Sequence, residues 1–111
     1  MHSMNQLKKL SAMTTLAEEA TGAFWTYDKT ALADGAIPKK YKELMAIAVA
    51  LTTQCPYCIE LHRQAAVKAG ASAEELAETV HVTAALRAGA AMTHGTHLLE
   101  DQPRTVVNGV I

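Results

Sequence analysis

The chain is expected to fold as a single all-α domain, an antiparallel bundle of about six helices, and three observations predict this. Apolar residues recur every three or four positions along most of its 111 residues. Half of the residues are apolar but only 5% are aromatic, a composition that suits close helix packing better than a β-sandwich. No stretch alternates apolar and polar residues for long enough to make a convincing strand, and no solenoid period is present.

The elements follow in order. Leu7, Leu10, Met13 or Thr14 and Ala17 share a helical face ahead of Gly22 and predict a first amphipathic helix. Phe24, Tyr27, Thr30 or Ala31 and Leu32 mark a shorter second one. Asp34-Gly35 should end it with glycine as a left-handed cap. Phe24, Trp25, Tyr27 and Tyr41 cluster here or just beyond, which reads as a packing surface or a lid. Pro38 suits the first turn of a third helix, buried through Leu44, Ile47, Ala48 and Leu51. Lys39, Lys40 and Lys42 crowd its start against the helix dipole and are expected to face water.

A proline inside a helix costs about 3 kcal/mol but little in the first turn, so the third helix should yield near Thr52 and Pro56 should open a fourth. Gly70 then serves as its C-cap, and Ser72-Ala73-Glu74-Glu75 reads as a capping box that opens a fifth helix. Leu76, Val80, Thr83 or Ala84 and Arg87 run along one side of it. Gly89 is expected to interrupt it before a last helix over residues 90–99, with a break at Gly95. The apolar tail of residues 103–111, with Val106, Val107, Val110 and Ile111, invites docking on a neighbouring subunit.

Charge and cysteine usage narrow the function. A formal charge of −1 and a pI near 6.5 give no basic footprint for nucleic acid. The least charged stretch, residues 44–59, falls short of the roughly 20 apolar residues that span a bilayer. Met1-His2-Ser3-Met4 does not read as a secretory signal, so a cytoplasmic location is expected. The two cysteines stand three apart, too close to staple distant segments, which points to redox or metal chemistry.

The reactive groups converge in Gln54-Cys55-Pro56-Tyr57-Cys58-Ile59-Glu60-Leu61-His62. On a helix Cys58 lies one turn beyond Cys55, and His62 one turn beyond Cys58, so the three form a row. Cys55 precedes the first turn, where the backbone is free to bring the two sulfurs together. A helix N-terminus and an imidazole both favour thiolate; Cys55 should gain most from the first and Cys58 from His62. Folding back at Gln54 pairs His62 with Ile47 and leaves Glu43 about one turn, or 5 Å, away as an orienting acceptor. Glu60 points to another side of its helix. Ala65, Ala66 and Ala69 extend the cysteine-histidine face with small side chains that let paired helices approach closely.

Glu43, eleven intervening residues and Cys55-Pro-Tyr-Cys58-Ile-Glu-Leu-His62 resemble the signature of the alkylhydroperoxidase D group within the carboxymuconolactone decarboxylase superfamily. The likeness runs over residues 38–99. It implies an all-helical protein assembled as a trimer or hexamer, with no bound cofactor. It also implies a reaction in which Cys58 attacks a small hydroperoxide and becomes sulfenic acid. Cys55 then resolves it and exchanges with an external dithiol or thiol-protein reductant, while His62 and Glu43 relay protons. Tyr57 stands where the characterised peroxidases carry a further histidine.

Three other readings compete. Lactone decarboxylation belongs to the same superfamily, but its enzymes lack the dithiol. A zinc-binding module would use Cys55, Cys58 and His62, with His94 and His97 as further donors one turn apart. A redox-sensing or subunit-interaction protein would need no turnover. His81 reads as a packing residue.

Overall fold

The computed structural model describes residues 3–101, and among these it contains five α-helices, two short 3-10 turns and no strand. The helices are α1 (Leu10–Leu16), α2 (Glu18–Leu32), α3 (Lys39–Thr53), α4 (Pro56–Lys68) and α5 (Ala73–His94). The 3-10 turns, Met4–Lys9 and Gly95–Leu98, flank the first and last of them. The all-α expectation holds with one α-helix fewer. The tail of residues 103–111 lies outside the described residues.

α3 is the shared element. It packs along α4 on one side and α5 on the other, while α2 meets it near one end. Ile47 and Ala50 of α3 and Ala66 of α4 are the buried apolar residues, and Ala66 is wholly enclosed. The small side chain on α4 is what lets the two helices come close. Polar ties reinforce the packing: Lys40 Nζ lies 3.0 Å from Glu75 Oε2 of α5, and Arg87 Nη1 donates to the Thr52 carbonyl at 3.2 Å.

Local chemistry sets the boundaries. Pro56 occupies the first turn of α4, as its missing N–H permits. Gly70, at φ 102°, ends that helix in the left-handed region, and the next amide, of Ala71, reaches back to the Ala66 carbonyl at 2.9 Å. The capping box forms in full: Ser72 Oγ accepts from Glu75 N–H at 3.1 Å, and Glu75 Oε1 accepts from Ser72 N–H at 2.9 Å.

Five expectations need correction. The break between the first two helices falls at Ala17, with ψ at 67°, and not at Gly22. Glu18 and Glu19 favour a helix start there through the dipole, and Gly22 is absorbed into α2. Gly35 does not take a left-handed conformation. The last carbonyls of α2 are capped instead by lysines, Lys39 Nζ on Leu32 O at 3.3 Å and Lys42 Nζ on Ala33 O at 2.7 Å, while Asp34 Oδ1 accepts the Lys39 N–H at 2.7 Å and caps α3. The lysine cluster therefore turns to partners, not simply to water. Gly89 does not interrupt α5, because the alanines around it have the highest helix propensity and offset one glycine. The change to 3-10 geometry comes at Gly95, as expected.

The fifth correction concerns burial. Met45 and Val49 of α3 are exposed, as are Phe24, Trp25 and Tyr27 of α2. Within one chain, α4 and α5 cover α3 on two sides and leave the strip with Met45 and Val49 open. The radius of gyration is 18.9 Å, against about 13 Å for a compact domain of roughly 100 residues.

Candidate functional site

The α3–α4 turn builds the site. Gln54, at φ 56° and ψ 45°, takes the left-handed conformation that ends α3, and the Gln54 and Cys55 amides both reach the Ala50 carbonyl. Two residues thus reverse the chain and lay α4 back along α3. Cys55 becomes the N-cap of α4, and its Sγ accepts the Cys58 N–H at 3.3 Å. A sulfur occupies the place where a helix start usually holds a serine or aspartate oxygen.

His62 lies on α4 and Glu43 on α3, and the antiparallel pairing brings His62 Nδ1 to 2.6 Å from Glu43 Oε2. The one-turn offset read from the sequence falls within side-chain reach. Glu43 is only 2% exposed, the most enclosed charged side chain among the described residues. Its other oxygen, Oε1, accepts from Lys39 Nζ at 2.8 Å. Burial pushes the Glu43 carboxyl up, but the bonds from Lys39 and His62 outweigh it and hold its pKa below the ordinary carboxylate value. A carboxylate on Nδ1 selects the tautomer with its proton there and leaves Nε2 as the basic nitrogen.

Lys39 was absent from the site read in the sequence. Its spacing of four from Glu43 on one helix was the available signal.

The cysteines differ in electrostatics: Cys55 is lowered, as expected, but Cys58 is raised where His62 was expected to lower it. The Cys58 thiol donates to the Cys55 sulfur, and the Cys58 and Tyr57 amides add to it, so the Cys55 pKa falls below that of an ordinary thiol. Cys58 is raised to about 11 by its hydrogen bond to Cys55, by burial and by the Cys55 charge, with Asp28 adding a smaller push. His62 is not among the groups that set either value. The helix end wins over the imidazole because Cys55 sits on the free amides themselves.

Cys58 and His62 open into a cleft of about 460 Å³, walled by Phe24, Trp25, Leu32 and Leu61. Glu43, Lys39 and Tyr57 reach it as well; Cys55 lies outside. Phe24 and Trp25 meet edge to face, with ring centroids 5.0 Å apart. Phe24 and Trp25 of α2 thus form one wall of this cleft, while Tyr27 stays exposed outside it.

The other histidines stay apart. His94, at the end of α5, and His97, in the 3-10 turn that follows, meet edge to face with centroids 5.0 Å apart. Among the described residues no three His, Cys, Asp or Glu side chains converge as a metal-binding group, so the zinc reading finds no assembled donor set there. No helix among the described residues is long and apolar enough to cross a membrane.

A helical hairpin that carries a CxxC pair at its turn, with a histidine-glutamate pair bridging its arms, defines a recognisable class. Residues 18–101 match the carboxymuconolactone decarboxylase family, and the chain belongs to it. That span starts further upstream than the resemblance read from the motif and takes in α2. The chain is 47% identical over 77 residues to uncharacterized protein 4 in the cox locus of Paracoccus denitrificans, covering 69% of each. It is 30% identical over 82 residues to an uncharacterized protein of Cupriavidus necator, covering 74% of this chain and 73% of that one. In structure it is similar to apo-lpg0406, a carboxymuconolactone decarboxylase family protein from Legionella pneumophila. The TM-score is 0.71 at 34% identity, covering 83% of this chain and 82% of the other.

Proposed function

We propose that this protein is a thiol oxidoreductase that reduces small hydroperoxides, or disulfides, through the Cys55–Cys58 pair, with His62 and Glu43 moving protons. One observation carries the reading: Cys55 is held as an anion-favouring cap on α4 while Cys58, one turn on, opens with His62 into an apolar cleft. Family membership is consistent with this chemistry and with lactone decarboxylation; the dithiol favours the first.

Cys58 gives up its proton to the Cys55 thiolate or to His62 Nε2 and attacks the terminal oxygen of the hydroperoxide. The O–O bond breaks, the alcohol leaves with that proton, and Cys58 becomes sulfenic acid. Thiolate at Cys55 displaces water from the Cys58 sulfur and forms the disulfide. An external dithiol then attacks the pair, most accessibly at Cys55 outside the cleft, and restores both thiols. His62, oriented by Glu43, supplies and accepts the protons of these displacements.

The working unit in this reading is a homo-oligomer, a trimer or hexamer. Leu16, Met92 and Leu86 are 84%, 78% and 68% exposed, more apolar surface than a lone domain usually leaves in water.

The experiment is peroxide consumption with a dithiol reductant. The parent should turn over, Cys58→Ser should not, and Cys55→Ser should stall after one equivalent. Mass spectrometry of the oxidised parent should show loss of two hydrogens with no free thiol. Stable sulfinic acids at both cysteines would reject the pairing.

A further inference from the structure

A carboxylate as enclosed as Glu43 is costly to keep ionised. His62 answers one of its oxygens. The other falls to Lys39, four residues earlier on the first turn of α3, which places its ammonium 2.8 Å from Oε1. The same Nζ makes a second bond, 3.3 Å to the carbonyl of Leu32, the last residue of α2. Lys39 therefore touches both the buried carboxylate and the helix whose Phe24 and Trp25 wall the cleft.

We propose that Lys39 is a positioning residue of the proton relay: its ammonium holds Glu43 as a fixed anion through Oε1, leaving Oε2 to orient His62, and anchors the pair to the end of α2. The proposal rests on the thiol-redox reading for its effect on turnover, but not for its effect on Glu43. Two donors on two oxygens leave the carboxyl group no freedom to rotate, so the imidazole is fixed in turn. Across the site Glu43 faces Lys39 from its own helix and His62 from α4. The shared cleft adds Asp28 and Lys29 from α2, and Cys58 and Tyr57 from α4. Among the described lysines and arginines, only Lys39 makes a direct bond to the carboxylate.

The test follows Glu43 itself. Its side-chain carboxyl is titrated by carbon-13 NMR in the parent, Lys39→Met, Lys39→Gln and Lys39→Arg, beside the pH–rate profile for peroxide reduction. Removing the charge should raise the Glu43 midpoint by about one pH unit. The acid limb of kcat should rise with it, while the KM for peroxide stays in place. Arginine should restore both. Glutamine, which keeps a donor and fills the space without the charge, should behave like methionine and guards against a variant that fails to fold. A Glu43 midpoint unchanged in either folded, uncharged variant would overturn the proposal. A parent without turnover would reject the redox reading, and the NMR titration would still decide the role of Lys39.

Discussion

Glu43 Oε2 and His62 Nδ1 lie 2.6 Å apart, although 19 positions separate them in the chain and they sit on different helices. The contact exists because the α3–α4 turn is only two residues long, which fixes the register of one helix against the other. A buried anion is thereby delivered to an imidazole that opens on the cleft.

Glu43 should support stability in a pH-dependent way. Its pKa is lowered on folding from 4.5, so its contribution is present above that value and is lost as pH falls through the lower folded one. Glu43→Gln should cost about 2 kcal/mol near neutral pH, measured by urea unfolding. The gap between parent and variant should narrow as pH falls below the ordinary carboxylate value and through the lowered one. A gap that stays constant with pH would show that the carboxylate charge contributes nothing.

Alkylation should distinguish the cysteines. Cys55 should react first, with a midpoint below the ordinary thiol value of 9.0, whereas Cys58 should resist until about pH 11. Cys55→Ala removes both the hydrogen bond and the charge that raise Cys58, so the Cys58 midpoint should fall toward 9.0. Peptide mapping after timed alkylation reads both. Prior reaction at Cys58 would contradict the assignment of the thiolate to Cys55.

Gln54 should tolerate glycine and reject β-branched residues. At φ 56° glycine carries no steric penalty, while Gln54→Val should cost about 1–3 kcal/mol. If valine and glycine variants unfold at the same urea concentration, the left-handed turn does not govern the hairpin.

Light scattering at micromolar concentration should give a mass about three or six times that of the 11.9 kDa chain. Met45→Lys and Val49→Lys, on the exposed side of α3, should lower it. A monomer mass for the parent would reject the oligomer.

Helix content, the proline start of α4, the Gly70 cap and the Ser72–Glu75 capping box were legible, because each rests on the chemistry of residues near one another in sequence. The distance between Glu43 and His62 was legible in outline for the same reason: a short turn between regular helices leaves one antiparallel register. The break at Ala17 was not, since alanine carries no local signal and the acidic pair after it acts only once a helix has begun. Lys39 was misread because a lysine at a helix start ordinarily faces water, and what recruits it inward is the burial of Glu43. The raised pKa of Cys58 was not legible, because His62 one turn on favours a thiolate there and only the position of Cys55 as the cap makes Cys58 its donor. The exposure of Met45 and Val49 cannot be read from an apolar run, which records that a face is to be covered but not by which chain.

The sulfur cap on α4 has a thermodynamic side. Amides that favour a thiolate at Cys55 act only while the pair is reduced, since a disulfide sulfur carries no charge for them to solvate. They lean the couple toward the dithiol, and each tenfold preference raises the reduction potential by about 30 mV. A disulfide drawn from this turn would therefore accept electrons more readily than one formed from two ordinary thiols, and the start of the helix would set the oxidising strength of the protein.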